Sequence, residues 1–144
     1  MRRSFLHVFP LAFLVLGARG VLADDATGAD RLLCHADTIN ICYDDGTCEA
    51  GSADALNLPQ FIEVDLVAKR LSTTKASGLN RSTAIESMKR PDGSGTIVLQ
   101  GFEKGRAFSF VIEEKTGAVT IAVAGPNRGV AAFGACTPLP KESR

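Results

Sequence analysis

A chain of 144 residues, with 16 Lys and Arg set against 16 Asp and Glu, four cysteines and no tryptophan, has room for one domain and little more. Without a basic excess it lacks the electrostatic footprint of a nucleic-acid binder. The balance hides an asymmetry, because the first 23 residues hold Arg2, Arg3 and Arg19 and no acid, leaving thirteen basic against sixteen acidic side chains in the rest.

Those first residues read as a cleavable signal peptide. Arg2-Arg3 forms a basic end, Phe5 to Leu16 an apolar run, and Val21-Leu22-Ala23 a small-residue cleavage site before Asp24. The run is too short for a spanning helix, which needs roughly 20 apolar residues, and Pro10 interrupts it. Arg2-Arg3-Ser4-Phe5-Leu6 also has the form of a twin-arginine motif. Its extreme position and the strongly apolar run favour the general secretory route. The expected product is periplasmic or secreted and keeps no stable membrane anchor.

Residues 24–30 are polar and expected to be disordered; 31–138 form a single β-rich domain, and 139–144 a flexible tail. Leu32 to Tyr43 is rich in alternating and β-branched residues. Ser52 to Leu58, stopped by Pro59, predicts one short helical turn near 52–58. Ile62, Val64 and Leu66 share one strand face with Glu63 and Asp65 on the other. Thr73–Leu79 reads as a loop, and residues 82–90 as a weaker strand ending at Pro91-Asp92-Gly93. Then follow strands from Ile97, over Arg106–Glu113 with Phe108, Phe110 and Ile112 on one face, over Ala118–Ala124, and over Val130–Thr137. Short links require antiparallel neighbours. The sum is an all-β fold, a seven- or eight-stranded antiparallel meander closing as a small barrel or a sandwich.

All four cysteines fall in the exported part, and an even count there predicts two disulfides. Asp44-Asp45-Gly46 has the form of a three-residue hairpin loop, which sets Cys42 directly opposite Cys48. Cys34 and Cys136 then pair, tying the first strand to the last. Neither a Cys-x-x-Cys redox motif nor a zinc-ligand spacing is present.

The chemistry-bearing candidates are few. Asp44, Asp45 and Glu49 do not follow the alternating pattern of a calcium loop, and read as a hairpin tip. Glu63 and Asp65 are spaced to present paired carboxylates, but a solvated strand face needs the same pattern. His35 is the one histidine outside residues 1–23, so a triad with Ser87 or Ser109 is not expected. Asn80-Arg81-Ser82 is a formal glycosylation sequon. Phe108, Phe110, Val119 and Ile121 would line a cavity if the barrel held a ligand. No catalytic, cofactor-binding or metal residue is assigned, and no cofactor is expected.

Cys42, Gly46-Thr47-Cys48, Asn57-Leu58-Pro59-Gln60-Phe61, Leu99-Gln100-Gly101, Gly105-Arg106-Ala107-Phe108-Ser109 and Phe133-Gly134-Ala135-Cys136-Thr137 together resemble small uncharacterised exported proteins of Gram-negative bacteria, with four cysteines and a C-terminal FGACT motif. The resemblance covers about residues 34–137 and implies an extracytoplasmic location. It transfers no functional residue. The functional expectation is a non-enzymatic protein-binding or envelope accessory module, its partner an envelope or extracellular protein, with residues 72–82 and the 44–46 tip as docking places. An apolar-ligand carrier is the alternative, and an enzyme using Glu63/Asp65 or Asp44/Asp45 the third.

Overall fold

The computed structural model describes residues 24–140. The expected signal peptide, 1–23, and the end of the tail, 141–144, lie outside the described residues. Ten strands form: β1 (Arg31–Tyr43), β2 (Cys48–Gly51), β3 (Phe61–Asp65), β4 (Arg70–Thr73), β5 (Ser82–Ala84), β6 (Ser87–Lys89), β7 (Thr96–Glu103), β8 (Arg106–Glu113), β9 (Ala118–Ala124) and β10 (Arg128–Pro138). Every pairing is antiparallel.

The strands make one sheet in the order β5-β4-β3-β1-β10-β9-β8-β7-β6, with β2 paired to β1. This is chain order opened between β5 and β6 and joined between β10 and β1. The sheet curls into a half-barrel, so the two-sheet sandwich among the expectations does not form. Its two edges approach each other: the N–H of Ile85 donates to the Lys69 carbonyl at 2.9 Å, and the next N–H, of Glu86, donates to the Gln100 carbonyl at 2.9 Å. One dipeptide thus bonds to the start of β4 on one side and to β7 on the other, the strands next to the two edges.

The strand count exceeds the seven or eight expected, for two reasons. Residues 82–90 are not one strand but two of three residues each, β5 and β6, on opposite edges. Arg70–Thr73, which has no clear alternation, forms β4 because β3 offers it a partner edge from Ile62 to Asp65. The helical turn near 52–58 is a 3-10 turn at Asp54–Leu56, and a second one, at Lys75–Ser77, lies in the segment read as a loop.

β1 runs to 13 residues because it serves three partners. β10 takes one edge along its whole length, and the other is shared by β3 at Arg31–His35 and β2 at Ile39–Cys42. A bulge at Asp37, where the register shifts between Ala36 and Thr38, keeps apolar residues pointing inward on both sides of it. Leu32, Cys34, Ile39 and Ile41 of β1 are accordingly all buried.

The interior is filled by alternate residues of every long strand. Leu32, Val64, Ile97, Leu99 and Ile112 are fully buried, each stabilising the fold by about 1.5–3 kcal/mol relative to exposure. Two disulfides brace the sheet, Cys34–Cys136 across β1 and β10 and Cys42–Cys48 across β1 and β2, with Cα separations of 4.0 and 4.1 Å. In both, the paired cysteines are register partners. Gly46, at φ 85°, supplies the left-handed residue that lets Tyr43 meet Thr47 across the hairpin. The disulfides suggest maturation outside the reducing cytosol.

The lead expected to be disordered has no regular structure, yet it is anchored. Ala26 is fully buried and its N–H donates to the Glu114 carbonyl, while the Thr137 hydroxyl donates to Asp24 Oδ2 at 2.6 Å.

Candidate functional site

Ile97, Ile112 and Val119, register neighbours on β7, β8 and β9, are buried at one end of the half-barrel, while a cavity remains toward the other. Ala36 and Ile39 of β1, Ala132 and Val130 of β10, and Ala53 and Leu58 of the 3-10 segment leave a cavity of about 100 Å³, whose walls are almost wholly apolar. Phe108 and Phe110 form its floor with Ile121, their rings meeting edge to face at 6.0 Å. Of the four residues expected to line a cavity, the structure brings together Phe108, Phe110 and Ile121. Val119 is not among them, because it lies two residues further along β9, opposite Ile112 and Gly134 in the packed end.

The rim is charged. Arg81, Glu103 and Arg106 all border the cavity. Sequence reasoning assigned none of them a role of its own: Arg81 stood as the middle of a sequon and within the 72–82 segment, and Arg106 as the start of a strand. The signal that could have found Glu103 and Arg106 is strand parity: each falls on the inward-facing set of its own strand, with Leu99 and Phe108 respectively. Arg81 is fixed by its backbone, which trades bonds with Thr73. The Arg81 N–H donates to Thr73 Oγ1 at 3.0 Å, and its carbonyl accepts the Thr73 N–H at 3.0 Å. Its guanidinium donates from Nη1 to the Asn57 carbonyl at 2.8 Å and from Nη2 to Glu103 Oε1 at 3.3 Å. The Nε–H is buried and meets no acceptor among the described residues. Arg106 forms no ion pair among the described residues.

The carboxylates noted in the sequence lie elsewhere. Glu63 pairs with Arg31 at 3.1 Å on the outer face, and Asp65 Oδ1 accepts the Ala68 N–H at 2.7 Å. Asp45 Oδ1 accepts both the N–H and the hydroxyl of Thr47, at 2.8 and 2.7 Å, which holds its carboxyl below the usual range. Glu49 Oε1 accepts the Tyr43 hydroxyl at 2.6 Å. These are the bonds of a hairpin tip. Among the described residues no three His, Cys, Asp or Glu side chains converge as a metal site. His35, on the outer face of β1, contacts Asp37 through Nδ1 at 2.8 Å and stacks at 4.8 Å on Phe61. Asn80 of the sequon is exposed, with φ 45°.

The outer face of β7 to β10 is unusually low in charge. Its outward positions are alanine, threonine, valine and phenylalanine for the most part, with Glu113 the only ionisable one, and Val111 and Phe133 stand exposed on either side of Thr120.

No protein-family model and no curated protein matches the chain.

Proposed function

We propose that this chain is an exported binding module without catalytic activity, related to the small Gram-negative exported proteins it resembles, which seats one apolar side chain of a partner protein in the open end of its half-barrel. The observation that carries this reading is the size and place of the cavity. Sites for drug-sized ligands occupy roughly 300–1,000 Å³, and the space here is about 100 Å³. A cavity of about 150 Å³ holds a benzene, so this one fits a single branched aliphatic group. That is too little for lipid or carrier cargo, and it is the scale of an anchor residue at a protein interface. The cavity also borders the 72–82 segment expected to dock, through Ser72, Thr73 and Ser82.

Export is supported by the two disulfides and by residues 1–23, whose order of basic, apolar and small residues is that of a cleavable leader. A binding role is favoured over a catalytic one because Glu63, Asp65, Asp45 and Glu49 are engaged in bonds away from the cavity, and none of the carboxylates noted in the sequence lines it.

The test uses a random peptide library panned on the oxidised, exported protein and then on an Ala132→Leu variant. Ala132 is buried and lines the cavity, so the added carbons occupy the space an anchor would take. Peptides sharing one Leu, Ile or Val and losing at least tenfold in affinity on the variant are expected. Enrichment of only variant-insensitive peptides would overturn the reading.

A further inference from the structure

We infer that the anchor seated in the cavity is the C-terminal residue of the partner, a branched aliphatic side chain accompanied by its free carboxylate, held by Arg81 and Arg106. This rests on the reading of the cavity as an anchor pocket and adds the chemistry of its mouth.

The Arg81 guanidinium is incompletely bonded. Arg81 has five N–H groups, of which two are bonded, to the Asn57 carbonyl and to Glu103, while the buried Nε–H has no acceptor among the described residues. A buried donor left unmet is costly, and this one belongs to a side chain that borders an apolar cavity and is only 20% exposed. Arg106 adds a second cation at the same mouth, with no ion pair among the described residues, and its stem packs beside Gly125. Among the described residues lining the cavity, Glu103 alone is acidic, and it is already tied to Arg81 at 3.3 Å. The mouth therefore carries one net positive charge beside walls that accept a hydrocarbon group.

Two requirements follow, a branched aliphatic group of three or four carbons and an anionic acceptor next to it. The terminal residue of a polypeptide ending in Leu, Ile or Val meets both. An arginine is suited to a carboxylate, whose two oxygens match its fork of donors. An internal side chain would fill the cavity and leave the cationic rim without an anion. Capture of a chain end is a recurrent mode of peptide recognition.

The experiment is calorimetric titration of the oxidised, exported protein with acetyl-Gly-Gly-Leu as the free acid, the same peptide as its C-terminal amide, and 4-methylpentanoate. The acid is expected to bind at least tenfold more tightly than the amide. That preference should fall to within threefold in Arg81→Gln and weaken with rising salt. Because Arg81 also tethers Asn57 and Glu103, Arg106→Gln serves as a second variant that disturbs no bond and should also reduce the preference. Equal binding of acid and amide would overturn this inference and leave the anchor pocket standing, provided Ala132→Leu abolishes both. Binding of neither peptide would overturn both readings. If 4-methylpentanoate binds as tightly as the peptide acid, the recognised chemistry holds but a chain terminus as its source is overturned.

Discussion

Gly134 and His35 lie so close across the β10–β1 ladder that a Cβ on Gly134 would run into the His35 carbonyl oxygen, with the Cα of Ala36 at 2.9 Å. The obstacle is backbone beside the Asp37 bulge, so it cannot turn aside as a long side chain would. Gly134→Ala should therefore destabilise the fold, by about 1–3 kcal/mol or more, in urea unfolding followed by circular dichroism. Gly78→Ala, an exposed position with open space but a left-handed φ of 67°, is the useful contrast, and its cost should be nearer 1 kcal/mol. An unchanged midpoint in Gly134→Ala would show that β1 and β10 are not held at this distance.

The disulfides should differ in worth. Cys34–Cys136 closes a loop with a sequence separation of 102 and Cys42–Cys48 one of 6, which chain-entropy arguments convert to about 4.7 and about 2.4 kcal/mol. Replacing Cys34 and Cys136 by alanine should lower Tm on the order of 10 °C further than replacing Cys42 and Cys48. Scanning calorimetry of the two double variants decides it, and similar losses would mean that the entropic difference is offset elsewhere.

Tyr43 is the only tyrosine and there is no tryptophan, so ultraviolet absorbance titrates this one phenol. Its hydroxyl donates to Glu49 Oε1, and that bond, to an anion, raises the pKa above the ordinary value of 10.0. The neutral phenol is the bonded form, so the contribution is present below the unfolded value and is lost as pH rises through the higher folded one. A midpoint above 10 is expected, moving back toward it in Glu49→Ala; an identical midpoint in the variant would disprove the bond.

Ile85 should matter far more than its place in a short link implies. It is 4% exposed and Val67 is 74% exposed, so Ile85→Ala should cost about 2–4 kcal/mol and Val67→Ala within about 0.5. Hydrogen exchange should also quicken at Glu86 in Ile85→Ala, because its bond to Gln100 loses the anchor beside it. Equal costs for the two would mean that the sheet edges are not joined through this residue.

Much of the fold was legible because the signals were periodic. From Thr96 onward, alternation and glycine-containing turns marked β7 to β10 within a few residues, and the Asp44-Asp45-Gly46 loop fixed the Cys42–Cys48 register. What escaped notice lacked a period. β4 has no alternation and exists only because β3 presents an edge, and the division of 82–90 between two edges depends on how far the sheet curls. The site was half legible. Phe108, Phe110 and Ile121 could be placed by parity on their strands, but Val119 has the same parity and sits at the packed end. Position along the barrel axis is a matter of register, which hydrophobicity alone does not carry. Arg81 was hidden more deeply, since its role arises from Asn57 and Glu103, which lie 24 and 22 residues away. The glycines of two quoted segments also gain a reason: Gly134 meets the His35 carbonyl, and Gly101 lies beneath the Phe108 ring with the Ala84 carbonyl 2.9 Å from where a Cβ would stand.

The pairing of β1 with β10 makes the described polypeptide a nearly endless ring, since Leu32 already sits opposite Pro138. A circular permutant linking the two by a short glycine–serine tether, with new ends opened in the exposed Pro91–Gly95 turn, should keep every ladder of the sheet. It would turn Cys34–Cys136 from a staple between distant segments into one across a tight hairpin, removing most of that bridge's entropic benefit while leaving its packing in place. The permutant is thus a way to weigh chain constraint against contact in a single molecule.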